Sequence, residues 1–171
     1  MYLEYWGLKR FPFENVPDPD FIYYSPEHLE ALSRLLYAAK GNKGIVLITG
    51  EIGSGKTTLS RVLIQQLPKE KYDIGLMVNT TLDPLDFLRE VLRSFGFNPG
   101  DDLSKSSLLN LFHEKMLENL KKEKGTLLII DEAQLISRET FEELRLLLNF
   151  QFQDYQIDLS IPLLRHRGGT A

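Results

Sequence analysis

The sequence predicts an α/β domain with a central parallel β-sheet. Short apolar runs, typical of buried strands, alternate along the chain with segments whose apolar residues recur at helical spacing. A glycine-rich segment joins the first of these runs to the next helix. The length of 171 residues, with 43% hydrophobic and 26% charged residues, suits one globular domain.

The composition excludes several kinds of protein and site. The chain has no cysteine, which excludes disulfides and thiolate metal sites, and its three histidines lie far apart without metal-ligand spacing. No apolar run approaches the roughly 20 residues that span a bilayer, and the N-terminus does not resemble a signal peptide. The net charge of −4 does not favour nucleic-acid binding, although it leaves it open. The expected location is the cytoplasm.

The first elements are an arm, a helix and a strand. Residues 1–25 are rich in aromatic residues and prolines, too irregular for a helix or strand and too apolar for a free tail, so we predict an ordered arm packed on the core. Ser25 and Pro26, a cap residue followed by proline, predict the start of a helix that Gly41 ends. Residues 44–49 form an apolar run without alternation, as in a strand buried on both faces.

The rest of the chain continues this alternation. An amphipathic helix follows the glycine-rich segment and ends at Pro68. Asp83 and Ser104 carry side chains that cap helix N-termini, and each precedes a run with helical periodicity. The other predicted elements are strands at 72–79 and 126–131, a helix at 137–149 and a last candidate strand at 157–163.

Residues 50–57, Gly-Glu-Ile-Gly-Ser-Gly-Lys-Thr, match the G-x-x-x-x-G-K-[ST] pattern of the P-loop, or Walker A motif. The alternative is an ordinary strand-to-helix turn, but a position between a predicted strand and a predicted helix is the context that confirms the motif. Lys56 is expected to reach the β- and γ-phosphates of ATP, and the Thr57 hydroxyl to ligate Mg²⁺. The residues predicted to bind the nucleotide are Gly50, Glu51, Ile52, Gly53, Ser54, Gly55, Lys56, Thr57 and Thr58.

The apolar run at 126–131 ends in two carboxylates, Asp131 and Glu132, as in a Walker B motif. A buried parallel strand would deliver Asp131 to the carboxyl edge of the sheet, where it can hold hydrated Mg²⁺. Glu132 would then be placed as general base for the attacking water. Alone, this pattern fits any strand that is followed by a helix. Together with the P-loop it predicts hydrolysis, with Lys56 and Glu132 as catalytic residues.

Asn79 is the third candidate catalytic residue, because it ends the predicted second strand at the same sheet edge. Its carboxamide could hydrogen-bond the catalytic carboxylate and turn it away from water until a partner or ligand arrives. The alternative is an ordinary turn asparagine at a strand end. The sequence leaves both interpretations open.

Several short segments together carry a family resemblance. They are 5–8 (Tyr-Trp-Gly-Leu), 11–13 (Phe-Pro-Phe), 17–19 (Pro-Asp-Pro), 24–28 (Tyr-Ser-Pro-Glu-His), the P-loop at 50–57 and 131–134 (Asp-Glu-Ala-Gln). In these segments the chain resembles the AAA+ ATPases of the ExeA/GspA (general secretion pathway protein A) type. The resemblance covers about residues 1–153, and the aromatic-proline arm is more specific to this family than the nucleotide motifs are.

The resemblance implies a three-layer αβα P-loop fold of the AAA+ type, with the last strand between the P-loop strand and the Asp131 strand. It implies ATP and Mg²⁺ as ligands, and ATP hydrolysis that energises or regulates a bacterial secretion or export machine. It supports Asn79 as a switch for the carboxylate and places the arm near residues 11–13 beside the adenine.

The implied partners are components of the secretion or export machinery and, in the full-length protein, further copies of itself, in the cytoplasm or at the periphery of the inner membrane. One alternative is a nucleotide-switched, DNA-associated AAA+ protein of the transposition or origin-binding type. Another is a nucleotide-binding interaction module without turnover. The acidic composition disfavours the first, and Glu132 disfavours the second.

The expected organisation has three parts. These are an N-terminal arm at 1–25, the AAA+ ATPase core at 26–153 and a truncated or atypical C-terminal segment at 154–171. Members of the family continue into a sensor, an arginine finger and a helical lid, which residues 154–171 do not resemble. The expectation is therefore that the C-terminal lid is missing and that turnover by this chain is weak.

Overall fold

A parallel sheet forms the centre of the computed structural model, which describes residues 2–9, 11, 23–41, 45–148 and 161–166. In these residues the strands are β1 (Ile45–Gly50), β2 (Tyr72–Met77), β3 (Gly125–Ile130) and β4 (Ile161–His166). Their spatial order is β1-β4-β3-β2. The expectation that the last strand lies between the P-loop strand and the strand before Asp131 is confirmed.

The register of the strands brings their carboxyl ends to one edge of the sheet. β1 and β4 pair in parallel up to Gly50 opposite His166, and β2 and β3 pair in parallel up to Met77 opposite Ile130. Ile130 is also opposite Leu163, which joins the two pairs. Ligands of open α/β sheets bind at this edge, so a ligand-binding site is expected at the loops after β1, β2 and β3.

The helices are α1 (Tyr2–Tyr5), α2 (Pro26–Lys40), α3 (Lys56–Gln66), α4 (Pro84–Ser94), α5 (Lys105–Lys121) and α6 (Arg138–Leu148), with a 3₁₀ turn at Ala133–Leu135. The side chains of Ser25, Asp83 and Ser104 accept backbone N–H bonds in the first turns of α2, α4 and α5. These caps are the ones that the sequence predicts. No helix in the described ranges is long and apolar enough to cross a membrane.

Two helical layers cover the two faces of the sheet. Alternate side chains of β3 point to opposite faces: Leu128 and Ile130 pack with α4, α5 and α6, whereas Leu127 and Ile129 pack with α2 and α3. Both clusters are built from residues that are almost fully buried, among them Phe87 and Leu63. The predicted three-layer αβα fold is therefore confirmed.

β1 departs from the prediction of a strand buried on both faces. Val46 and Ile48 pack with α2 and α3, but Ile45 and Leu47 are 44% and 50% exposed. The reason is that α4, α5 and α6 lie over β2 and β3, while β1 is the strand at the opposite edge of the sheet, separated from β3 by β4. An unbroken apolar run thus shows a strand without showing how many of its faces are covered.

Two strand ends also differ from the prediction. β2 ends at Met77, so Asn79 follows the strand instead of ending it. β4 continues to His166, beyond the predicted end at Leu163, and residues 157–160 lie outside the described part of the chain. Val78 is apolar although it follows β2, and Arg165 and His166 are polar although they belong to β4, so residue type alone leaves these strand ends poorly determined.

The N-terminal arm contains a helix, contrary to the prediction. Residues Tyr2–Tyr5 form the single turn α1, after which the Tyr5 and Trp6 rings meet edge to face with their centroids 5.0 Å apart. Both rings are exposed in the described structure. Residues 12–22, which carry all three prolines of the arm, lie outside the described ranges, so packing of the arm on the core stays a prediction.

Candidate nucleotide-binding site

The P-loop connects the end of β1 to the start of α3. Two of its glycines, Gly53 and Gly55, have φ angles of +75° and +81°, a region that residues with a Cβ atom rarely adopt. Gly55 is the N-cap of α3, so the backbone curls immediately before the positive end of the helix dipole. The loop and the helix together form the arrangement of N–H groups that binds phosphate.

The Lys56 ammonium lies over the loop. Its Nζ donates hydrogen bonds to the carbonyl oxygens of Gly50 (3.0 Å) and Glu51 (2.7 Å), and it lies 3.4 Å from Ser54 Oγ. The amine is thus held by carbonyl groups of the loop instead of extending into solvent. A phosphate oxygen would take the place of a carbonyl as its partner.

Thr57 and Asp131 join the loop to the end of β3. The Thr57 hydroxyl donates to Asp131 Oδ2 at 2.9 Å, and the Asp131 backbone N–H donates to the Met77 carbonyl at 2.8 Å. Asp131 is 8% exposed. Its Oδ1 accepts the N–H of Glu132 at 3.0 Å, so both carboxylate oxygens are oriented.

These two oxygens fit a magnesium site. A hydroxyl and a carboxylate are hard ligands, and Mg²⁺ uses one or two such protein groups together with substrate phosphates and water. Within the described ranges, no three His, Cys, Asp or Glu side chains gather as a metal site of their own. A magnesium ion bound at these two oxygens would be shared between Thr57, Asp131 and the phosphates of a nucleotide.

Glu132 follows Asp131 in a left-handed backbone conformation, with φ 54° and ψ 37°. For a residue with a side chain this conformation costs roughly 1–2 kcal/mol, and such strain is concentrated at functional sites. The Glu132 carbonyl accepts the Thr80 hydroxyl at 2.9 Å and the Leu135 N–H at 3.0 Å. The exposed carboxylate accepts a hydrogen bond from the Gln134 amide.

The family that is described as an AAA domain matches residues 39–164, which contain the P-loop, Thr80 and the Asp131–Glu132 pair. The chain belongs to this family. It is 37% identical over 157 residues to general secretion pathway protein A of Aeromonas hydrophila, covering 92% of this chain and 28% of that protein. The resemblance to that type of AAA+ ATPase is confirmed, and the chain spans little more than a quarter of its relative.

A solved structure shows the same fold. The ORC2 protein of Aeropyrum pernix, in complexes with ADPNP and ADP, superposes with a TM-score of 0.63 at 19% identity, covering 91% of this chain and 44% of that one. At this identity the match is evidence for the fold alone. The AAA domain described here thus has the α/β P-loop fold of a protein that was crystallised with adenine nucleotides.

The structure brings together most of the residues that the sequence singles out. Lys56, Thr57, Asp131 and Glu132 meet at the carboxyl edge of the sheet, and residues 50–58 form one continuous loop and first helical turn. Ile52, by contrast, is 82% exposed at the tip of the loop. Ile52 would bind phosphate through its backbone only, and roles for all of these residues stay predictions.

The residue after Asn79 is the one that contacts Glu132, the predicted general base. Asn79 is exposed, and among residues 45–148 the side chains that hydrogen-bond Glu132 are those of Asp131, Thr80 and Gln134. Thr80 is 1% exposed. A polar residue next to Asn79, in a segment that leaves a buried strand, is a signal that could have found Thr80 from the sequence. The switch role of Asn79 stays a prediction.

His28 is a second residue that the motif analysis missed. It lies in the first turn of α2, and its Nε2 is 2.8 Å from the carbonyl oxygen of Ser54 in the P-loop. The motif gives no information about this contact because residue 28 precedes the loop and belongs to another helix. The P-loop of this AAA domain is therefore supported from outside its own strand and helix.

Proposed function

We propose that this AAA domain binds ATP with Mg²⁺ and hydrolyses it, and that turnover energises or regulates a bacterial secretion or export machine. The 2.9 Å hydrogen bond between Thr57 and Asp131 carries the proposal, because it unites the P-loop with the acidic strand end. The similarity to general secretion pathway protein A supports the choice of machine. The cytoplasm, or the inner-membrane periphery, is the corresponding location.

Phosphate binding is the first part of the proposed mechanism. The N–H groups of the loop and the N-terminus of α3 provide partial positive charge, and the Lys56 ammonium exchanges a carbonyl partner for a phosphate oxygen. Because Lys56 is already held above the loop, little side-chain freedom is lost on binding. The triphosphate is thereby fixed in one orientation.

The metal is the second part. Thr57 and Asp131 would hold Mg²⁺, whose bound charge neutralises the charge that develops on the β- and γ-phosphates. The carboxylate of Asp131 keeps its orientation through the Glu132 N–H, independently of the Thr57 hydroxyl. Thr57 can thus turn its hydroxyl oxygen from Asp131 toward a metal without releasing Asp131.

Water activation is the third part. The Glu132 carboxylate would accept the proton of the water that attacks the γ-phosphorus, while the bond to the bridging oxygen breaks and ADP leaves. In the structure that carboxylate accepts a hydrogen bond from the Gln134 amide, which would have to release it for this role. The Thr80 hydroxyl holds the Glu132 backbone, so the base would move by side-chain rotation. Asn79 remains our candidate for a polar switch that acts on this rotation.

Nucleotide binding is tested by titrating fluorescent ATP with and without Mg²⁺. Lys56→Ala removes a charged hydrogen-bond donor, so affinity falls by more than about tenfold. The matched control is Lys121→Ala, because Lys121 is exposed on α5, far along the chain from the loop. Equal affinity of the Lys56 variant and the parent would overturn the assignment of the P-loop.

Hydrolysis is tested by phosphate release from the same proteins. Glu132→Gln keeps the size of the side chain and loses the base, so ATP binds as in the parent while turnover falls roughly 10²-fold or more. Glu114→Gln, the same change at an exposed position of α5, leaves turnover unchanged. Parental turnover by Glu132→Gln would mean that another group is the base.

A further inference from the structure

His28 makes two hydrogen bonds that fix the plane of its imidazole ring. Nε2 is 2.8 Å from the Ser54 carbonyl oxygen, and Nδ1 is 3.0 Å from the hydroxyl oxygen of Ser25, the N-cap of α2. Ser25 Oγ also accepts the backbone N–H of His28. The half-buried ring is therefore held at one end by its own helix and at the other end by the P-loop.

The bond to Ser54 has a defined direction. A carbonyl oxygen only accepts hydrogen bonds, so Nε2 carries the proton and donates it. At the other nitrogen, Nδ1, the Ser25 hydroxyl is the partner, and a hydroxyl can either donate or accept a hydrogen bond. The Ser25 hydroxyl also bonds the Glu27 carboxyl and lowers its pKa, so this hydroxyl has two acceptors within reach. The hydrogen bond from Nε2 to the Ser54 carbonyl is the same whether the Ser25 hydroxyl donates to His28 or to Glu27.

A hydrogen bond to the Ser54 carbonyl also sets the direction of the next N–H group. The peptide unit is planar and trans, so the Ser54 C=O and the Gly55 N–H point in opposite directions. With the carbonyl held toward α2, the Gly55 N–H points away from His28. Gly55 caps the N-terminus of α3, where N–H groups bind phosphate.

The space around Gly55 is shaped by the same imidazole. A Cβ atom added to Gly55 would lie 3.1 Å from His28 Nε2, closer than an ordinary van der Waals contact, and φ at Gly55 is +81°. A side chain at residue 55 would thus be strained and would also press on the ring. The imidazole ring thus lies beside the space that a side chain at residue 55 would fill.

We propose that His28 is a positioning residue, which holds the Ser54–Gly55 peptide so that the Gly55 N–H faces the nucleotide phosphates before the nucleotide arrives. The proposal rests on the proposed nucleotide binding at the P-loop. The positioning acts through one donated hydrogen bond. If His28 only attached α2 to the domain, its replacement would lower the stability of the domain and leave the orientation of the Gly55 N–H unchanged.

The test compares His28→Ala and His28→Gln with the parent. Alanine removes the donor, so the Kd for fluorescent MgATP rises about 3- to 10-fold, the effect of one neutral hydrogen bond. The glutamine amide supplies a donor of similar reach and restores much of the affinity. The control is Glu30→Gln, which breaks an exposed ion pair with Arg34 on the same helix and leaves the Kd unchanged.

The Gly55 amide resonance in ¹H–¹⁵N spectra is the second measurement. In the parent, saturating MgATP shifts this resonance downfield through the phosphate hydrogen bond, and in His28→Ala the shift at saturation is smaller. The positioning role is wrong if the parent binds MgATP and His28→Ala has the parental Kd and the parental Gly55 shift. It is also wrong if His28→Gln binds MgATP no more tightly than His28→Ala. In both cases the proposed function stands. If the parent itself does not bind, both proposals fall.

Discussion

The hydrogen bond between Thr57 and Asp131 can be measured in the nucleotide-free protein. Thr57→Val removes the donor and keeps the branched shape of the side chain, whereas Asp131→Ala removes the acceptor. Each change alone abolishes the bond, so the double variant loses it only once. A double-mutant cycle therefore isolates this bond from the other effects of the two substitutions.

The structure sets the expected size of the coupling. Hydrogen bonds to charged groups contribute about 1.5–3 kcal/mol, and this one is 2.9 Å long with an acceptor that is 8% exposed. Asp131 keeps the bond from the Glu132 N–H when Thr57 changes, which favours the lower end of the range. We expect a coupling free energy of about 1.5 kcal/mol. With an m value near 2 kcal/mol per molar, this energy corresponds to about 0.7 M in the urea concentration at the midpoint of unfolding.

The assay is urea unfolding followed by circular dichroism at 222 nm, without nucleotide or Mg²⁺. Thr58→Val is the matched control, because it makes the same change one residue further along α3, and its cycle with Asp131→Ala gives no coupling. Additive effects of Thr57→Val and Asp131→Ala, within about 0.4 kcal/mol, would show that the two motifs are not joined before the nucleotide binds.

Two further predictions concern residues in left-handed or buried positions. Thr80→Val removes the hydroxyl that holds the Glu132 carbonyl, so we expect ATP turnover to fall severalfold while ATP affinity is unchanged. Thr81→Val, at the neighbouring exposed position, is the control and has no effect. Equal steady-state phosphate release by Thr80→Val and the parent would refute this prediction. Glu123→Gly relieves a φ of 53° just after α5 and raises the free energy of unfolding by about 1 kcal/mol. The control, Glu118→Gly within the helix, lowers the free energy of unfolding. A lower urea midpoint for Glu123→Gly than for the parent would contradict the strain argument.

Much of the candidate site can be read from local sequence. The P-loop and the Asp131–Glu132 pair are contiguous motifs, and each combines a strand end with the residues that follow it. Their meeting is also predictable, because parallel strands place their carboxyl ends at one edge. Thr80 and His28 were missed, since each acts through one contact with a backbone carbonyl on a distant segment. A carbonyl oxygen is common to every residue and leaves no sequence signal at the accepting position.

The sequence by itself determined the α/β class with a parallel sheet, the helix caps at Ser25, Asp83 and Ser104, and the P-loop motif between β1 and α3. These features depend on periodicity and on side chains that act within a few residues of themselves. Only the tertiary structure decided that one face of β1 is exposed, that Asn79 lies beyond its strand, and which side chains contact Glu132. Burial and long-range hydrogen bonds depend on which elements become neighbours in space, and local residue patterns do not encode that neighbourhood.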